Sequence, residues 1–141
     1  MKPIGHIIIS TAVAFSFGLI FKSYSIGLIS WLAGWIIDFD HLIDYAIYLK
    51  KFKKKFNLEE FVSGDYFKKL GKIYVLGHSW EYLILFFFLG NYFPWQLLTT
   101  VSVSYFFHMI LDQLSYDISH FLYFLSYRIK VNFNTEKLFK L

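Results

Sequence analysis

Long apolar runs separated by short polar segments dominate the chain. Four such runs cover residues 4–21, 26–49, 73–93 and 95–117. Each is about 18–24 residues long, which is enough for a helix to cross a hydrocarbon core of about 30 Å. The pattern predicts an all-α fold with one domain over residues 1–141, built as an integral membrane bundle of four transmembrane helices.

The remaining segments are polar and predict the orientation of this bundle. We expect a short basic amphipathic loop at 50–72 and an interfacial C-terminal helix within 118–141. Of the 14 Lys and Arg residues, only Lys22 falls on the side opposite the N-terminus. Because cytoplasmic segments are enriched in Lys and Arg, the pattern predicts a cytoplasmic (inner) membrane protein with the N-terminus, the loop 50–72 and the C-terminus in the cytoplasm.

Composition supports a membrane location and excludes some chemistry. The chain is 57% hydrophobic and 17% charged, whereas soluble domains are about 45–50% apolar and about 25% charged. It contains no cysteine, which excludes disulfides and thiolate metal sites. The net charge of +4 is explained by topology and by contact with anionic lipid headgroups. Nucleic-acid binding is therefore not needed, and no motif indicates an oligomeric state.

Ionisable residues in the apolar runs all lie at the cytoplasmic end of the predicted helices. They are His6, Asp38, Asp40, His41, Asp44, His78, Glu81, His108, Asp112 and Asp117. Pairs such as Asp38 and His41, or His108 and Asp112, are three or four residues apart and share a helix face. The sequence therefore predicts one polar layer to which several segments contribute.

A metal ion is the simplest counter-charge for this layer. Residues 23–49 and 73–127 contain six carboxylates and no Lys or Arg, and a charged side chain in the bilayer centre costs about 2.5–3.5 kcal/mol. Histidine and carboxylate are common ligands of divalent ions. Aspartates that face water, Asp44 among them, are an alternative. An ion or proton conductor would use the same groups, but the opposite half of each run is apolar. The predicted ligands are His6, Asp38, Asp40, His41, His78, His108 and Asp112.

Short motifs in a shared order resemble a known family. DFDH at 38–41, GHS at 77–79, HMILD at 108–112 and an early GH at 5–6 resemble the membrane-bound metal-dependent hydrolases, a LexA-binding, inner-membrane-associated family. That family is distantly similar to the zinc-dependent phospholipase C and P1 nuclease group. The resemblance covers nearly the whole chain and implies a helical protein in which His and Asp bind metal for phosphoester hydrolysis.

The chain departs from this family before the HS pair. Members commonly carry a His-Arg pair and a Thr there, whereas the matching positions are Ile73, Tyr74 and Gly77. The missing histidine could remove a ligand, and the missing arginine could remove a phosphate contact.

The function predicted from these features is a membrane-embedded metal-dependent hydrolase. It would act on a phosphoester or ester of a lipid-like substrate at the cytoplasmic leaflet, with zinc as the expected ion and manganese or iron as alternatives. Glu81 or Asp44 would act as general base. The alternative is a non-catalytic membrane protein with a structural metal and a regulatory or partner-binding role. An open coordination position favours catalysis, and a closed one favours the structural role.

Overall fold

The computed structural model describes residues 3–115 and 119–139. These residues form helices joined by loops, with no strand among them beyond an isolated antiparallel bridge between Lys72 and Asn134. The all-α prediction is confirmed. In chain order the helices are α1 (Pro3–Ile20), α2 (Tyr24–Ile36), α3 (Phe39–Phe52), α4 (Leu58–Ser63), α5 (Tyr66–Leu70), α6 (Glu81–Leu89), α7 (Trp95–Ser115), a 3₁₀ helix (His120–Tyr123), α8 (Leu125–Lys130) and α9 (Thr135–Leu138).

Helices α1, α2 and α7 pack together as a three-helix bundle. Small residues allow the backbones to approach: a methyl group placed on Gly27 would lie 3.1 Å from the carbonyl oxygen of Ala14. Between α2 and α7, the hydroxyls of Ser30 and Ser104 are 2.7 Å apart in the buried interior. Close approach of small residues and hydrogen bonds between helices are the usual basis of packing in membrane bundles.

The polarity of the bundle is inverted relative to a soluble protein. On α7, Thr100, Ser104, His108 and Asp112 recur every four residues and are all buried, so one face of this helix is a polar interior stripe. The buried face of the helix formed by the fourth run is therefore less apolar than the sequence pattern suggested. Among the described residues, more large hydrophobic side chains are exposed than buried.

Helices α2 and α3 follow one another almost without interruption. Together they form a 29-residue stretch, Tyr24–Phe52, and this is the one helix among the described residues that is long and apolar enough to cross a membrane by length and composition. The apolar part of α1, Gly5–Ile20, is shorter. The arrangement of four transmembrane helices stays a prediction.

The third apolar run differs most from its prediction. The helix expected over 73–93 is present only as α6, with nine residues, and residues 72–80 form an irregular loop. The fourth run is helical over the described part of 95–117, and residues 116 and 117 lie outside the described residues. Propensity and apolarity favour a helix at 73–80, but side chains from other segments bind the backbone groups of this loop.

The basic segment after α3 folds back on that helix. Tyr45 and Tyr48 of α3 form an apolar cluster with Tyr66 and Leu70 of α5. Glu60 accepts hydrogen bonds from Lys54, Tyr48 and Lys69, and these donors lower its pKa to about 2. The lysine-rich segment is therefore an ordered helical hairpin.

The Gly27 contact gives a test of the bundle. Leucine at this position would overpack the α1–α2 interface, and we expect Gly27→Leu to destabilise the protein by about 1–3 kcal/mol, measured as a lower thermal unfolding midpoint in detergent. Gly5→Ala is the control, because no atom lies within 4 Å of the added methyl group. Equal midpoints for Gly27→Leu and the wild type would contradict the packing described.

Candidate metal centre

The site begins where α2 passes into α3. Here the backbone hydrogen bonds join residues three apart in sequence instead of four. The Asp38 amide donates to the Trp35 carbonyl and the His41 amide donates to the Asp38 carbonyl, both at 3.2 Å. Such a tightened turn within a long helix often marks a functional position. It places Asp38 directly before α3, with Asp40 and His41 in its first turn.

Four side chains from three parts of the chain present ligand atoms to a common point. They are Asp38, His78, His108 and Asp112. The Nε2 atoms of His78 and His108 are 3.2 Å apart. Oδ2 of Asp112 lies 3.1 Å from the first and 3.3 Å from the second. Oδ1 of Asp38 lies 3.6 Å from both.

Hydrogen bonds on the far side of each imidazole fix which nitrogen carries the proton. Nδ1 of His108 lies 2.9 Å from the carbonyl oxygen of Gly34, which can only accept. Nδ1 of His78 lies 2.9 Å from Oδ2 of Asp40. Both Nδ1 atoms therefore donate, and in the neutral rings both Nε2 atoms carry a lone pair. Two nitrogen lone pairs and two carboxylate oxygens thus face one another.

A cation at the common point would be bound by all four ligand atoms at once. Protonating both rings would place two N–H groups against each other at the Nε2–Nε2 distance of 3.2 Å. A tetrahedral ion with ligand bonds of about 2.0–2.1 Å separates its ligand atoms by about 3.3 Å. The distances of 3.1–3.6 Å fit this value. The buried Asp/His group could hold a metal ion, and its donor set suits one.

Asp40 is not one of the four residues whose ligand atoms face the common point; it binds His78 from the other side of the ring. Its Oδ2 accepts from Nδ1 of His78 and, at 2.7 Å, from the amide of Gly77. Metal-binding histidines commonly donate their second N–H to a carboxylate, which orients the ring and raises its basicity. A second possible group combines Asp40, His41 and His78, but it would compete for the nitrogens of His78.

The other two predicted ligands lie at the edge of the cluster. Nε2 of His6 is 3.0 Å from Oδ1 of Asp112, the oxygen that does not face the common point. Nε2 of His41 is 3.9 Å from Oδ1 of Asp38. The Nδ1 atoms of both histidines are buried without a hydrogen-bond partner. All seven predicted ligands therefore belong to one cluster, with four of them at its centre.

Asp44 and Glu81, the two predicted general bases, lie outside this centre. The carboxylate of Asp44 accepts from the amides of Tyr74 and Val75, at 3.2 and 2.8 Å. Glu81 accepts from Ser79 and from the amide and hydroxyl of Ser126, at 3.0 and 2.7 Å for the latter two. Both carboxylates thus bind loop backbone or side chains, and their role as bases stays a prediction.

The loop that carries His78 holds an unusual backbone conformation. Val75 has a φ of +30°, which is an outlier for a β-branched residue and costs about 1–3 kcal/mol unless the surroundings impose it. Its amide is bound by Asp44, and its carbonyl accepts from Arg128 at 2.7 Å. Strain of this kind is common at functional sites.

Sequence reasoning missed two residues that support the loop. Arg128 is fully buried, although it lies in the segment expected to be interfacial. The hydroxyl of Tyr105 accepts from the amide of Ser79 at 2.8 Å and lies 2.7 Å from the carbonyl oxygen of Gly77. Tyr105 could have been noticed because it precedes His108 by one turn. Arg128 offered one signal, as the single arginine of the chain.

Comparison with profiles of known protein families, with curated proteins and with solved structures gives no match to this chain.

The geometry predicts different effects at Asp38 and Asp40. Asp38→Asn removes a ligand charge and should abolish tight metal binding. Asp40→Asn should weaken it by about 10–100-fold, the usual effect of altering an outer partner of a metal-bound histidine. Competition with a metal-binding dye in detergent would measure both affinities, and Asp65→Asn, at an exposed position, is the control. A loss at Asp40 as complete as that at Asp38 would make Asp40 a ligand instead.

Proposed function

We propose that this protein is a membrane-embedded metal-dependent hydrolase that cleaves a phosphoester or ester of a lipid-like substrate at the cytoplasmic leaflet. The observation that carries the proposal is the convergence of four ligand atoms, one of which belongs to a partly exposed side chain although the atom itself is buried. The side chains of His78, His108 and Asp112 are at most 5% exposed, whereas that of Asp38 is 21% exposed. A substrate would therefore reach the centre from the side of Asp38.

The exposed apolar surface supports a location within the bilayer. Large apolar side chains such as Phe15, Leu28, Phe87 and Leu114 are more than half exposed, and extensive apolar surface marks a membrane or protein contact. Helix Tyr24–Phe52 has the length to cross. The lysine-rich hairpin after it suits the anionic headgroups of the inner leaflet.

The short helix α6 is compatible with the third of the four proposed membrane crossings. Helix α7 starts at Trp95 and brings His108 and Asp112 back to the cluster, so residues 81–94 must lead away from it. The nine residues of α6 rise about 14 Å, and the loop 72–80 makes up the remaining depth. Irregular backbone is tolerated at membrane depth where it is buried in protein.

The residues of the cluster have two proposed roles, metal binding and proton transfer. When bound, a divalent ion would lower the pKa of a water molecule and polarise the scissile ester oxygen. Asp38, His78, His108 and Asp112 would hold it, with zinc as the expected ion from its N and O donors. We assign the general base to His41, predicted as a ligand, in place of Asp44 and Glu81, because its Nδ1 has no hydrogen-bond partner and its Nε2 lies 3.9 Å from Oδ1 of Asp38.

One observation favours the second candidate, a structural metal in a non-catalytic membrane protein with a regulatory or partner-binding role. Four protein atoms already face one point, with both histidine nitrogens 3.1–3.6 Å from each other and from the two carboxylates, and structural zinc sites are closed by four protein ligands. Catalysis requires one of them, Asp38 as the most exposed, to leave room for water. The two functions therefore differ in what Asp38 does after the metal has bound.

Metal content is the first test. Wild-type protein purified in detergent and reconstituted with zinc, manganese or iron should hold a stoichiometric divalent ion, measured by elemental analysis. His108→Ala should hold none, because it removes a central ligand. Phe107→Ala, an exposed neighbour on the same helix, is the control and should bind like the wild type. A wild-type protein that takes up no metal would refute both functions.

Turnover separates the two functions. The reconstituted protein should hydrolyse phospholipids in mixed vesicles or soluble phosphate and carboxylate esters. His41→Gln should keep its metal and lose about 100-fold or more in kcat, the usual effect of removing a general base. Stoichiometric metal without hydrolysis of any of these substrate classes would favour the structural role. A metal-loaded His41→Gln with unchanged kcat would reject His41 as the base.

A further inference from the structure

Arg128 occupies a position that is unusual for its residue type. It is the only arginine in the chain, lies in α8 and has an exposed fraction of 0%. Removing a guanidinium from water is expensive unless its donors are bound. Its neighbours therefore indicate what the burial achieves.

The terminal nitrogens of Arg128 bind the loop that carries His78. Nη1 donates to the carbonyl oxygens of Tyr74 and Val75, at 2.6 and 2.7 Å, and Nη2 donates to that of His78, at 2.7 Å. Three carbonyls over five residues are thus held by one planar group. A lysine ammonium is a compact charge and lacks this rigid fork.

The same loop is held from its other side by carboxylates. Asp44 accepts from the amides of Tyr74 and Val75, and Asp40 accepts from the amide of Gly77 and from Nδ1 of His78. The N–H groups of the loop thus face two aspartates of α3, and its carbonyls face Arg128. This opposed binding accounts for the positive φ of Val75, which would otherwise relax.

Electrostatics are consistent with this position. Burial lowers the pKa of Arg128, and the carboxylates of Asp40 and Glu81 oppose that effect. Nε of the guanidinium is buried without a hydrogen-bond partner. The position therefore carries a desolvation penalty that a surface lysine would avoid.

We propose that Arg128 is a positioning residue of the metal centre, which fixes the loop 74–78 so that Nε2 of His78 faces the other ligands. The inference rests on the proposed metal site. It assigns a role in that site to the C-terminal segment, which is also bound to the loop by hydrogen bonds from Ile73 to Phe133 and from Trp80 to Tyr123, both 3.0 Å. Metal affinity therefore depends on a residue that contacts no ligand atom.

The test uses cobalt(II), whose visible spectrum reports coordination geometry. Wild-type protein, Arg128→Lys and Arg128→Gln would be titrated with cobalt(II) in detergent, with folding monitored by circular dichroism and size exclusion. We expect both variants to bind about tenfold or more weakly, in the range for outer partners of metal ligands. Both should show an altered cobalt spectrum, with the smaller change in Arg128→Lys, which keeps the charge. Lys130→Gln, exposed on the same helix, is the control.

The outcomes are distinguishable. A wild-type protein that binds no cobalt(II) or zinc refutes the metal site itself. Wild-type binding with unchanged affinity and spectrum in folded Arg128→Lys and Arg128→Gln refutes only the role of Arg128. Should neither variant fold as purified, each would be refolded with excess zinc or cobalt(II). Recovery of the fold by the metal supports the proposal, and no recovery overturns it, because Arg128 would then be required by the whole fold rather than by the metal centre.

Discussion

The repulsion between four unshared electron pairs is the constraint around which this protein is arranged. Two histidine nitrogens lie 3.1–3.6 Å from each other and from two carboxylate oxygens in a nearly closed interior, where the low dielectric strengthens any unbalanced charge. The Nδ1 atom of each imidazole is hydrogen-bonded on the opposite side of the ring, that of His108 to the Gly34 carbonyl and that of His78 to the Asp40 carboxylate. The rings therefore cannot turn away, and the arrangement is stable only with a cation or with protons at its centre.

This constraint explains why the third apolar run is not a continuous helix. His78 must reach the other ligands from a loop, and a loop in an apolar environment needs partners for every backbone group. Asp44 and Arg128 supply them, for the amides and carbonyls of Tyr74 and Val75. The charged residues that looked like candidate catalysts or surface groups in the sequence thus support the backbone of the site.

The sequence predicted the composition of the site and missed how it is supported. Ionisable residues at one depth in four runs, three or four residues apart, were enough to group His6, Asp38 and His108 into one cluster. Residues 73–80 are apolar and were therefore predicted to be helical. The carboxylate that binds the amides of this loop lies about 30 residues away in sequence, on α3, so no local pattern indicates the loop. Arg128 lies about 50 residues from its partners, and no local pattern indicates that a lysine-rich chain would bury its one arginine.

The partial exposure of the Asp38 side chain bears on whether the proposed metal is catalytic or structural. A purely structural centre gains nothing from a partly exposed ligand side chain, since water at the metal would weaken the closed set of protein donors. Asp38 is the one central ligand that precedes a helix at a tightened turn, and its side chain makes no capping hydrogen bond. Its carboxylate lies 3.6–3.9 Å from its histidine partners, whereas that of Asp112 lies 3.0–3.3 Å from its own. With a metal bound, the partly exposed side chain with the longest distances to its partners would be the one to make room for water, and this is the asymmetry that the proposed hydrolase requires.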